Sequence, residues 1–219
     1  MKLPHLAYLF PLLAACGKNE FLAETLVEGL LEIDTVDTPL EVRERGAFGF
    51  HGENASGQER AILYVTGPGT GSCELVASYL RGDTLDPSLL WEADDCNLVL
   101  TVDYAGSPVE FSSSPEALSA SATPSLTCQI GDGAFVYEQR GSRPMDWYWS
   151  GRTWQAMPMR WSLALSGGLG EPLSLDLELD DYQGGFIYEL DNLDADGTGR
   201  LAGHAEAEWC EGLAEAAVF

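Results

Sequence analysis

The densest grouping of side chains able to hold a ligand is DNLDADGTG, residues 191–199. Asn192, Asp194 and Asp196 alternate ahead of Gly197, as do positions 1, 3, 5 and 6 of the calcium loop that supplies oxygen ligands at alternate residues. Neighbouring carboxylates repel one another, and a hard cation relieves that repulsion, so calcium is the one cofactor this sequence suggests. The match stops at the twelfth position, which is Gly203 rather than a bidentate glutamate. An acidic hairpin turn closed by Gly197 and Gly199 accounts for the same residues without a metal.

The second grouping is aromatic. DWYWSGRTWQAMPMRW concentrates Trp147, Tyr148, Trp149, Trp154 and Trp161. A two-residue loop at Gly151 and Arg152 would set Trp149 opposite Trp154 across a hairpin, with Trp147 on the same face. Exposed, and with Arg152 and Arg160 nearby, such a strip would stack on sugar rings or hold an apolar ligand, making Trp147, Trp149 and Trp154 the candidate binding residues. Buried, the same residues would be cross-strand core packing.

Other chemistries find little support. No G-x-S-x-G nucleophile turn and no H-E-x-x-H zinc motif occurs. His51 and His204 sit in hydrophilic surroundings and read as surface residues. Two facing carboxylates would suffice to hydrolyse a glycoside, but 35 acidic residues leave no pair to select. No catalytic residue is assigned.

Cys73, Cys96, Cys128 and Cys210 are widely spaced and form no C-x-x-C pair. In an exported chain they read as two disulfides, with three connectivities open. The Ser/Ala/Pro-rich segment 107–125 divides them two and two. Nearest pairing therefore predicts Cys73 with Cys96 and Cys128 with Cys210. Alternation along HAEAEWC puts Cys210 in phase with Glu206 and Glu208, which fits that scheme only if a bulge intervenes.

At the amino terminus, Lys2 precedes an apolar run that breaks off at LAAC, residues 13–16, followed by Gly17. The run is too short to span a bilayer, which takes about 20 residues. The order of charge, apolar stretch and small residues is that of a secretory signal, and LAAC resembles the lipobox of bacterial lipoproteins. That resemblance implies a signal peptide over 1–15, cleavage before Cys16, and lipidation of Cys16. Several acyl chains anchor durably where one would not. Gly17, not being aspartate, favours the outer membrane if the cell is Gram-negative.

The side chains carry 35 acids against 11 bases, a net charge of −24. Phosphate binding needs a basic footprint, so nucleic acid is excluded as a partner. The same charge repels an anionic membrane, leaving the lipid as the anchor.

What must position these residues is mostly strand. LSLDLELD alternates Leu173, Leu175, Leu177 and Leu179 against Ser174, Asp176, Glu178 and Asp180. CNLVLTVDY puts Cys96, Leu98, Leu100, Val102 and Tyr104 on one face. LEVRERGAFGF alternates Leu40, Val42, Phe48 and Phe50 against Glu41, Arg43 and Arg45, and HGENASGQE links it by a hairpin loop to AILYVTG. The one clear helix is GSCELVASYLRG, with Cys73, Val76, Ala77 and Leu80 at helical spacing after a capping Ser72. LAETLVEGLLEID fits a strand or a short helix equally.

The expected fold is mainly β: an antiparallel sandwich or barrel-like sheet with one short helix and two disulfides. A lipidated tether and N-terminal segment would occupy 16–38. The β-rich domain would occupy 39–219, with room for two subdomains joined by 107–125. The expected function is a lipid-anchored, non-enzymatic module of the cell envelope that binds a ligand, an envelope protein or a glycan. The alternative is an anchored hydrolase acting on polysaccharide or peptide outside the cytoplasm.

Overall fold

Alternating side chains with β-branched and aromatic enrichment make thirteen strands among the described residues: β1 Leu26–Ile33, β2 Leu40–Glu44, β3 Gly46–Glu53, β4 Glu59–Thr66, β5 Cys96–Asp103, β6 Val109–Ser112, β7 Ala122–Ile130, β8 Phe135–Glu138, β9 Asp146–Trp149, β10 Arg152–Ser166, β11 Leu173–Ile187, β12 Gly197–Thr198 and β13 Leu201–Trp209. Helix α1 spans Cys73–Arg81, and a 3-10 turn spans Glu211–Glu215. The computed structural model describes residues 25–53, 57–67, 72–81, 95–113, 122–131, 152–167, 172–187 and 194–215, and the backbone alone of 135–138 and 146–149.

Eleven strands share one sheet, and its pairings close on themselves. Running β10, β11, β13, β3, β4, β5, β7 and back to β10, each strand is hydrogen-bonded to the next. All these pairings are antiparallel except β13 with β3, which run parallel over only two residue pairs, Glu208 with Phe48 and Trp209 with Gly49. The result is a seven-stranded barrel. Strands β1 and β2 extend the β13 edge, and β6 pairs with the far end of β10. Strands β8 and β9 form a separate two-stranded sheet.

The two longest strands, β10 and β11, pair over almost their full length, and halfway along they exchange faces. On β10, Trp154, Ala156 and Pro158 point inward, whereas beyond Arg160 it is Leu163 and Leu165 that are buried. On β11 the buried set changes from Leu173, Leu175, Leu177 and Leu179 to Tyr182 and Phe186. The ladder skips one pair there, between Pro158–Tyr182 and Arg160–Asp180. Asp181 takes a left-handed backbone (φ 47°). Arg160 holds the crossing by ion pairs to Asp180 (2.7 Å) and Asp181 (2.8 Å).

A similar exchange occurs at Arg45. Leu40 and Val42 of β2 join the barrel core, whereas Phe48 and Phe50 of β3 face out to a second apolar cluster with Ile62 and Tyr64. The expectation that all four aromatic and aliphatic residues share a face fails because the chain turns from one sheet wall into the next at 45. Helix α1 covers the outer cluster with Val76 and Ala77, and Ser72 caps it by accepting from the Leu75 amide.

Both disulfides form, but with pairing opposite to the nearest-neighbour expectation: Cys73–Cys210 and Cys96–Cys128. Cys96 and Cys128 are directly opposite on β5 and β7 and both point inward. Cys210 does keep phase with Glu206 and Glu208. That phase places it on the outside of the barrel, where Cys73 at the start of α1 meets it.

Three further expectations change. Residues 26–33, grouped with the tether, are strand β1, paired with β2 on one edge and with β12 and β13 on the other. Within the 107–125 segment, expected to be a joining stretch, β6 and the start of β7 are strands of the same sheet as the strands on either side. His51 is buried, edge-on to Tyr104 with ring centroids 5.1 Å apart, and not a surface residue.

Non-reducing peptide mapping is expected to recover fragments linking 73 to 210 and 96 to 128. On the chain-entropy model the longer bridge stabilises by about 5 kcal/mol and the shorter by about 4, so denaturant melts of Cys73→Ser with Cys210→Ser should show a loss of that order. At the crossing, Asp181→Val should cost about 1–2 kcal/mol beyond its lost ion pair, through left-handed strain that Asp181→Gly avoids.

Candidate functional site

The outer face of the wall β6–β10–β11–β13–β1 places one row of side chains behind another. Register sets Glu110, Ala164, Asp176, His204 and Leu26 in one line across five strands. The next line runs Ser112, Ser162, Glu178, Ala202 and Glu28. Small residues occupy the centre, so the surface sinks into an open groove of about 510 Å³ floored by Ser162, Ala164 and Gly203 and walled by Glu110, Asp176 and Glu178. Gly203 has a positive φ, and a side chain there would strike the Leu26 carbonyl. That position therefore stays without a side chain.

His204 is the chemical centre of this face. Its Nδ1 lies 2.7 Å from Asp176 Oδ1 and its Nε2 3.1 Å from Glu206 Oε1. Both ring nitrogens meet acceptors, which favours the doubly protonated imidazolium. The Asp176 hydrogen bond is the main cause of a raised His204 pKa, with partial burial opposing it and Glu206 adding to it. Arg200 pairs with Glu178 at 2.8 Å. The face thus carries an excess of carboxylates around one cationic imidazole. Among the described residues both His204 hydrogen bonds go to carboxylates.

A second polar concentration sits at the corner where β2 passes into β3. Glu44 is 2% exposed, and neither carboxyl oxygen completes a hydrogen bond of full geometry among the described residues, the Cys96 amide acting on it only weakly. Burial first, then the Asp95 carboxylate, push its pKa up to about 9, against a lowering by the Cys96 amide. Thr66, Asn97 and Tyr64 nearby are also buried with unpartnered polar atoms.

The residues singled out from sequence fare differently. Trp154 is a core residue, not a ligand-binding one: its indole is fully buried and its Nε1 donates to the Ala195 carbonyl at 2.7 Å. It pairs with Cys128 and Phe186, not with Trp149, whose backbone pairs with Phe135. The hairpin expectation fails because β10 is taken on both edges by β7 and β11. Trp147 lies on β9 opposite Tyr137, and its side chain, like that of Trp149, is outside the described residues. Arg152 stacks over the Phe186 ring at 3.9 Å.

Cys16 and Asn192 lie outside the described residues. Asp194 is exposed, while Asp196 Oδ1 accepts from the Gly184 amide at 3.3 Å. Gly197 packs against the Trp154 indole, within 2.9 Å of where a Cβ would stand. This gives that glycine a packing role besides the turn. Among the described residues no three His, Cys, Asp or Glu side chains gather as a metal cluster.

Sequence reasoning missed the groove. Alternation does put Asp176, Glu178, His204 and Glu206 on solvent-facing phases, but only cross-strand register brings them together with Glu110 and Ser162. No protein-family model, curated protein or solved structure matches the chain.

An imidazole NMR titration should find the His204 midpoint above the ordinary value of about 6.5, lowered more by Asp176→Asn than by Glu206→Gln. Because the folded pKa is the higher one, this residue's contribution to stability is complete below about pH 6.5 and fades as pH rises through the folded value. His204→Gln should flatten that part of the stability profile.

Proposed function

We propose that the protein is a lipid-anchored, exported, non-enzymatic module of the cell envelope that offers its acidic groove to a basic partner. The groove carries the reading: Glu110, Asp176 and Glu178 surround a floor of small side chains, on a chain whose net charge is −24. Carboxylates in excess over the His204 and Arg200 cations paired with them steer and orient a complementary partner more than they grip a small molecule. A Lys/Arg-rich segment of an envelope protein is the chemistry that fits. Two disulfides suit an oxidising compartment, and the LAAC sequence ending at Cys16 supplies the anchor. Export and lipidation place the groove outside the cytoplasm, at the outer membrane in a Gram-negative cell.

Two measurements test this. Cells fed an alkyne fatty acid should label the wild type and not Cys16→Ser; equal labelling would remove the anchor from the account. The mature domain should bind a Lys/Arg-rich peptide with an affinity that falls as salt rises, and Asp176→Lys with Glu178→Lys should abolish binding. If the domain instead cleaves a polysaccharide or peptide and Asp176→Asn stops the cleavage, the hydrolase alternative stands.

A further inference from the structure

The corner beside Glu44 collects oxygen atoms from three chain segments. The β4–β5 register runs as far as Val65 opposite Leu98, and one further step sets Thr66 opposite Asn97. Tyr64 and Asp95, each two residues away, fall on the same face. Glu44 arrives from the end of β2, where the next residue, Arg45, donates its amide to the Thr66 carbonyl at 3.0 Å. Asp95 lies against Gly67, where any side chain would run into its carboxylate, and its own carbonyl accepts from the Gln129 amide at 2.8 Å. Backbone bonds therefore fix these residues in place.

Asp95 is half-buried, and the other four side chains are closed off from water. Thr66 is 0%, Tyr64 1%, Asn97 1% and Glu44 2% exposed, and the Thr66 hydroxyl, the Tyr64 hydroxyl, both Asn97 amide atoms and both Glu44 oxygens complete no hydrogen bond of full geometry among the described residues. Leaving one buried polar group unpaired costs about 1–3 kcal/mol, and native proteins leave few such groups. Four at one corner call for an occupant.

We infer that this corner is a binding site for a hard divalent cation, calcium in the first instance, held by Glu44, Asp95, the Asn97 carbonyl oxygen and the Thr66 hydroxyl. The donor set is all oxygen, without the imidazole or thiolate that zinc and copper select. Binding displaces the Glu44 proton to solvent, and the two carboxylates then match the charge of one divalent ion. Bound water completing the coordination shell would pair with the Tyr64 hydroxyl and the Asn97 amide. With two carboxylates the affinity belongs at the weak end of calcium sites, about 0.1–1 mM.

The site is distinct from the 191–199 loop, and the test separates them. The mature disulfide-bonded protein, stripped with chelator, is melted in calcium, in magnesium, and in sodium at matched ionic strength. Calcium should raise the melting temperature most, because it binds the folded state alone. Glu44→Gln and Thr66→Val, which keep shape, should lose that shift, and Asp194→Asn with Asp196→Asn should keep it. Terbium luminescence excited through tyrosine gives a second readout: emission in the wild type, displaced by calcium, and weaker binding by about tenfold or more in Glu44→Gln. A calcium shift no larger than that of sodium, a shift retained in Glu44→Gln, or one lost only in the Asp194/Asp196 variant would each overturn the assignment.

Discussion

The fold depends on a constraint at one register position, where the β10–β11 ribbon turns itself over. A strand with a fixed period of two keeps each face's chemistry for its whole length. These two strands do not, because both halves of each send side chains into one core cluster from opposite phases. The change requires both strands to lose phase together. Asp181 supplies the left-handed residue, and Arg160 ties Asp180 and Asp181 across the skipped pair. Were only one strand to slip, every leucine from Leu173 to Leu179 would face water.

That crossing divides the molecule's surfaces by role. Below it, Trp154, Tyr182 and Phe186 fill the barrel and brace residues 195–197 against β1 and β11. Above it, the outward phase of the same strands becomes the floor and wall of the groove. The acids of β11 are aligned with Glu110 and His204 because β10 and β13 are held in register on either side.

Much of this was readable one strand at a time. Alternation identified the buried leucines of β11, the inward set from Cys96 to Tyr104, and α1 with its Ser72 cap. Period cannot reveal a change of period, so the crossing at 160 and the corner at 45 leave no mark in the alternation, which sets Phe48 and Phe50 on the wrong wall. The disulfide pairing was legible but weighed wrongly. Cys96 shares phase with a core face and Cys210 with glutamates, so inward pairs with inward and outward with outward; proximity along the chain was the poorer guide. The groove needed register between strands that are distant in sequence, such as β6 with β10, and no local pattern carries that. Trp154 looked like a ligand platform because an indole suits a core and a binding face equally.

The barrel's seam is its thinnest part, with β13 meeting β3 over two residue pairs only. Cys210 follows immediately, its amide bonded to the Gly49 carbonyl and its sulfur joined to Cys73. For a chain made from its amino end, this has a temporal meaning. Strand β3 pairs with β4 early but keeps an open flank until β13 arrives, so the cylinder closes late. The 73–210 bridge then latches the closed seam, and a chain cut short before it would leave an unpaired edge exposed to its neighbours.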